Sequence, residues 1–227
     1  MMALASIDGI QFLLRWVHFL AGITWIGVLY YFNFIQGSWF KETEAEHKKA
    51  AVQKLVPRAL WWFRWGAMFT FLSGLGMILV EGHKAGGLIL AFEGNSWGAF
   101  ILTGATLGTL MWANVWFIIW PAQKVVIAVA QGGTNPDAAA LGAKAGLASR
   151  TNTLFSIPML YFMGAARHLQ ADVLLNPAVL GALGVVIGAL WINGIVGKTG
   201  PMTSVKGVIT SGFVLTVLLY GIIEILG

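Results

Sequence analysis

Apolar residues run along the chain in six long blocks, at 10–36, 60–81, 97–120, 151–168, 174–195 and 205–226, separated by short polar stretches. Each block approaches the about 20 residues that a helix needs to cross hydrocarbon. The pattern predicts an all-α integral membrane protein, a bundle of about six transmembrane helices forming one domain over 1–227 with no internal repeat. The fourth block is the shortest and carries Pro158 at its centre, where neighbouring helices can satisfy the freed backbone group. The third ends at Trp120-Pro121, which reads as a proline stop. Two polar stretches predict short surface helices. Residues 41–56 carry spaced opposite charges such as Glu44 and Lys48. Residues 131–150 open on Thr134-Asn135-Pro136-Asp137, a cap with proline at the first helical position.

The polar positions inside the first block are not scattered. Gln11, Arg15, His18, Gly22, Trp25, Leu29, Asn33 and Gln36 recur at three- and four-residue steps, so one face of that helix is polar and turns inward. An ionisable group inside hydrocarbon costs several kcal/mol unless something binds it, which makes His18 a functional-site candidate.

Basic residues set the orientation. Lys41, Lys48, Lys49, Lys54, Arg58, Lys124, Lys144, Arg150, Lys198 and Lys206 follow blocks one, three and five, whereas the opposite side holds only Arg15, Lys84 and Arg167. By the positive-inside rule both termini are expected on the periplasmic face of a bacterial inner membrane, with the surface helices cytoplasmic. The N-terminus lacks a basic n-region and a small-residue cleavage site, so the first helix reads as retained.

Composition narrows the chemistry. The chain is 58% hydrophobic and 10% charged, with a mean hydropathy of +0.78, which excludes an ordinary soluble domain. Its 29 glycines suit close helix–helix approach in lipid. The net charge of +5 sits in membrane-flanking loops, so no nucleic-acid surface is expected. With no cysteine, disulfides, iron–sulfur clusters, thiolate metal sites and covalently attached haem are excluded.

His47 falls among lysines and glutamates and reads as solvated, while His18, His83 and His168 gather toward the other side. Three histidines near one level fit a haem or metal site. A non-covalent haem b needs imidazoles from two helices, and a wall of aromatic and small residues. His18 and His168 are the candidate axial ligands to the haem iron, with His83 a weaker third. Trp25, Trp112, Trp116 and Phe162 can wall a pocket, Gly22 and Gly27 can admit the ring, and Arg15 can pair with a propionate. Asn114 can hydrogen-bond a ligand or, like Asn152, Ser156 and Asn193, join helices. Trp61, Trp62, Trp65, Trp97 and Trp120 read as an interfacial belt, Met159 and Met163 as core. Glu224 is the one carboxylate expected near a span interior.

Several strings then look familiar together. Residues 15–27, Arg-Trp-Val-His-Phe-Leu-Ala-Gly-Ile-Thr-Trp-Ile-Gly, resemble the first helix of the membrane-bound urate oxidases. The likeness continues at Phe71-Leu72-Ser73-Gly74, is strongest from Ala113 to Lys124, extends through Arg150–Pro158 and ends near His168. That family couples a multi-helix membrane domain to a cytochrome c domain. The resemblance implies an oxidoreductase of urate-oxidase type. The chain carries no cysteine and stops after the sixth block, so the cytochrome c domain is expected to be absent. The electron acceptor is then a separate cytochrome c, a quinone or a partner subunit, and a homo-oligomer or larger complex in the lipid is possible. Two other readings stay open: a small-molecule or metal-ion permease lined by the polar stripe, and a non-catalytic subunit of a respiratory complex.

Overall fold

The computed structural model describes residues 3–227, and among these it contains helices and no strand. We number the α-helices α1 Ile7–Glu42, α2 Ala45–Lys84, α3 Leu88–Phe92, α4 Ser96–Ala130, α5 Ala138–His168, α6 Pro177–Val196 and α7 Val205–Leu226. Short polar residues placed just before the apolar blocks start four of them. Ser6, Asn95, Asn176 and Ser204 each accept, through the side-chain oxygen, the backbone N–H three residues on, which satisfies a donor with no intrahelical partner.

Five helices (α1, α2, α4, α6 and α7) are long and apolar enough to cross a membrane. The remaining predicted block lies in α5, which is more polar. Its Thr151, Asn152, Thr153 and Ser156 are buried because α5 packs against α1, α4, α6 and α7. The largest fully buried side chains include Trp25, Phe63, Phe100, Leu107, Met111, Phe155 and Phe162. Between helices in lipid the gain comes from close packing and interhelical hydrogen bonds, since lipid tails are as apolar as leucine.

Several boundaries differ from expectation. The 41–56 stretch is no separate surface helix, because all but its first residues belong to the 40-residue α2, which runs through Pro57. Pro57 lacks the N–H that Gln53 C=O would otherwise receive. Gln131 Nε2 reaches that carbonyl at 3.4 Å, and Gln53 Nε2 donates to Ala130 C=O at 2.5 Å. A neighbouring helix end thus repairs the break.

Trp120-Pro121 does not stop α4 either. A wide π turn, Asn114–Ile119, precedes it, and Trp120 N–H bonds Val115 C=O five residues back. The proline falls where the ladder is already changing register, so the helix continues to Ala130. A second π turn spans Tyr31–Gln36 in α1. Before α5, Asn135 Oδ1 accepts Asp137 N–H at 2.9 Å. Pro136 therefore sits in a turn, and the helix begins at Ala138 rather than at the proline.

The helices alternate in direction. Lys84 pairs with Asp8 at 2.6 Å, and Arg167 with Glu81, joining α1, α2 and α5 at the end that carries His83. The opposite, basic end carries Lys54, Arg58, Lys124 and Lys144.

Candidate functional site

The site begins where α1 crosses α2 through small residues. A Cβ on Gly66 would lie 3.1 Å from Trp25 N, and one on Gly74 would lie 3.1 Å from His18 Cε1. Glycine at 74 therefore lets the imidazole lie against the α2 backbone. Ser73 Oγ is 2.6 Å from Phe69 C=O and 3.1 Å from Thr70 C=O, so its single proton is committed to a backbone carbonyl. It can meet His18 Nδ1, 3.2 Å away, only as an acceptor. This favours the Nδ1–H tautomer, in which Nε2 keeps its lone pair; the ring also has the Thr70 backbone within hydrogen-bond reach. Fixing one ring N–H so that the other nitrogen is free to ligate is how proteins orient metal-binding histidines.

The other candidates sort into two groups and one residue apart. His83 and His168 are exposed and lie further out. His83 is nine residues past Gly74 on α2, about 14 Å along a helix axis. Arg167, beside His168, pairs with Glu81, eight residues past Ser73 and so about 12 Å beyond it. The expected single level of three histidines is thus two levels, because α2 continues outward past the His18 crossing. The structure does not bring a second imidazole to His18, and no cluster of three or more His, Asp or Glu suited to a metal occurs among the described residues. What fits a haem here is one nitrogen ligand with its tautomer set, and half-buried Arg15 one turn outward.

The aromatic candidates line the interior. Trp25 is 1% exposed with Nε1 unpartnered, and a Cβ on Gly22 would lie 3.9 Å from Thr70 Oγ1. Trp112 stacks on Phe71 at 4.3 Å, and Trp116 stands edge-on to Trp65 at 5.6 Å. Both indole N–H groups are buried without acceptors.

Asn114 belongs to neither group. Its Nδ2 donates to Asn152 Oδ1 at 2.8 Å, and its Oδ1 accepts from Trp191 Nε1 at 3.0 Å. Asn152 Nδ2 in turn donates to Met111 C=O at 3.0 Å. Both amides are fully buried, so their polarity must be matched internally, and Asn114 serves as a lock between α4, α5 and α6 rather than as a ligand contact. The π turn of α1 and the residue before it make a parallel attachment, with Asn33 Nδ2 on Ser149 Oγ at 2.8 Å and Tyr30 Oη beside Ser156 Oγ at 2.9 Å.

Two functional groups escaped the sequence reading. Ser73 is legible only once α1 and α2 are known to touch. Glu81, not Glu224, is the partly buried carboxylate, at the His83 end of the bundle, taking Gln11 Nε2 at 3.0 Å and Arg167. Its place at the end of an apolar block was the available signal.

A family model described as urate oxidase N-terminal matches residues 88–218. That range takes in α3 to α6, most of α7, the Asn114–Asn152 lock and His168, while His18, Ser73 and Glu81 precede it. No curated protein and no solved structure matches the chain. With more than half of the 227 residues matched, the chain belongs to the urate oxidase N-terminal family.

Proposed function

We propose that this is a haem-b-binding membrane oxidoreductase, or electron-transfer subunit, of urate-oxidase type, which oxidises a purine substrate and passes the electrons to a separate cytochrome c or quinone. The observation that carries the reading is His18, an imidazole on a long apolar helix with Nδ1 3.2 Å from Ser73 Oγ; we read Ser73 as the acceptor, which leaves Nε2 to bind iron. The family supplies the reaction class. A bound haem b would supply a one-electron couple. The chain's own part is to orient the ring through Ser73, to keep α2 backbone against it through Gly74, and to offer Arg15 to a propionate. His18 is the ligand proposed on one face of the iron. His168, at the outer rim, is proposed to face the solvent-side partner rather than the same iron.

The reading includes six spans in a bacterial inner membrane, with both termini periplasmic. α5 supplies the sixth: its 31 residues are long enough to cross, and its polar groups face neighbouring helices rather than lipid. The lysine-rich end supports a cytoplasmic assignment for that face.

The test is the visible spectrum of the purified protein with a pyridine haemochrome assay. Wild type is expected to show a b-type Soret band, His18→Ala to lose it while still inserting in the membrane, and His168→Ala to keep it. A wild-type protein that carries no haem after supplementation sinks the proposal.

A further inference from the structure

At the basic end, two cations share one indole with no anion to separate them. Arg64 on α2 lies with Cζ 3.9 Å from the Trp120 ring centroid, and Lys124, one turn further along α4, places Nζ 5.7 Å from the same centroid. The two charges are therefore less than about 10 Å apart, which is about the Debye length at 0.1 M salt. Cation–π attraction explains why each sits on the ring, but it does not remove their mutual repulsion. The ion pairs among the described residues are Lys84–Asp8 and Arg167–Glu81, both at the opposite end. Glu42, Glu44, Glu46 and Asp137 are exposed at the basic end and none pairs with Arg64 or Lys124.

Donors without acceptors lie on the same seam. Arg64 Nε is buried and unpartnered, and so is Nε1 of Trp116, one turn from Trp120 and packed on Trp65. Buried polar atoms of this kind ordinarily have partners. Two positive charges on one ring, one of them with an orphaned N–H of its own, call for a ligand that is anionic and rich in acceptors.

The surroundings say which kind. Trp62, Phe69, Leu72 and Phe117 are exposed apolar residues beside the seam. Trp65 and Phe69 stack in sequence up α2 from the basic end toward the bundle middle. A soluble anion has no use for that wall, whereas acyl chains descending from a headgroup would lie along it. We propose that the α2–α4 seam binds the phosphodiester of an anionic membrane lipid between Arg64 and Lys124 over Trp120, with its chains along the Trp65–Phe69–Leu72 face. Basic pockets between helices at a cytoplasmic membrane face are suited to such headgroups.

The experiment places purified protein in phosphatidylcholine nanodiscs doped with phosphatidylglycerol and counts retained lipid by native mass spectrometry. Wild type is expected to retain phosphatidylglycerol over phosphatidylcholine, with affinity falling about fivefold for each cation removed in Arg64→Gln and Lys124→Gln. The charge-preserving pair Arg64→Lys with Lys124→Arg should keep most of it, and Lys198→Gln with Lys206→Gln, in the α6–α7 loop and the first turn of α7, should change nothing. Because the Gln variants can also fail by misfolding, wild type is titrated separately with brominated lipids. Brominated phosphatidylglycerol should quench indole fluorescence saturably, by a component that Trp120→Phe removes, where brominated phosphatidylcholine does not. Equal retention in the Gln variants, equal loss in the Lys198/Lys206 control, or no saturable quenching overturns the site. Displacement of the lipid by millimolar inorganic phosphate, with no lipid preference remaining, overturns the lipid as its occupant.

Discussion

The polar groups around His18 and those around Asn114 are both embedded in helices, but they end differently. At Asn114 every strong donor and acceptor closes on another: Asn114, Asn152, Trp191 and the Met111 carbonyl form a finished circuit across α4, α5 and α6. At His18 the chain of contacts runs from Phe69 C=O through Ser73 to Nδ1, and no side chain among the described residues closes it at Nε2. A closed buried network contributes to holding helices together, and an open one is poised to bind. The comparison separates two residues that sequence alone had placed in one candidate pocket.

Breaking the open end should give the largest effect. His18→Ala is expected to abolish haem retention entirely, read as loss of the Soret band, with little change in unfolding. Ser73→Ala keeps the imidazole but releases its Nδ1–H, so haem affinity should fall about 10- to 100-fold, as it does when other ligand-orienting partners are removed. A titration of apoprotein with haem reads this out, and an unchanged affinity would remove Ser73 from the site.

Breaking the closed circuit should act on stability instead. Asn152→Leu keeps volume but strands Asn114 Nδ2, at a cost of about 1–3 kcal/mol. Unfolding in mixed detergent micelles measures it, and the spectrum should persist in the fraction still folded. Gly74→Ala sharpens the contrast, since its methyl would meet His18 Cε1 at 3.1 Å. A cost of about 1 kcal/mol should come with a shifted haem spectrum, because the ring itself must give way. Glu81→Gln should matter least, under about 1 kcal/mol and weakening with salt, since its Arg167 partner is half exposed.

Much of the fold was legible along the chain. Length and apolarity marked the helices, while the caps Ser6, Asn95, Asn176 and Ser204 came to light only in the structure. Proline misled twice. Pro121 read as a stop and the 41–56 stretch, which ends before Pro57, as a separate helix, but a π turn absorbs the first proline and Gln131 repairs the carbonyl left by the second. Neither compensation is local enough to be seen in a window of sequence. The same holds for the site. His18 stood out because an imidazole in a membrane span needs a reason, whereas its tautomer depended on a serine 55 residues away.

The sequence by itself determined that this chain is helical, apolar enough for membrane and charged at one end, because hydrocarbon forces backbone hydrogen bonds to close within each segment. The tertiary structure decided which polar groups find each other. That choice turned on glycines that let α1 and α2 touch and on two π turns that aim asparagines at α5, contacts between segments far apart in sequence. It made Asn114 a lock, moved His83 and His168 to a different level from His18, and left Nε2 of His18 open.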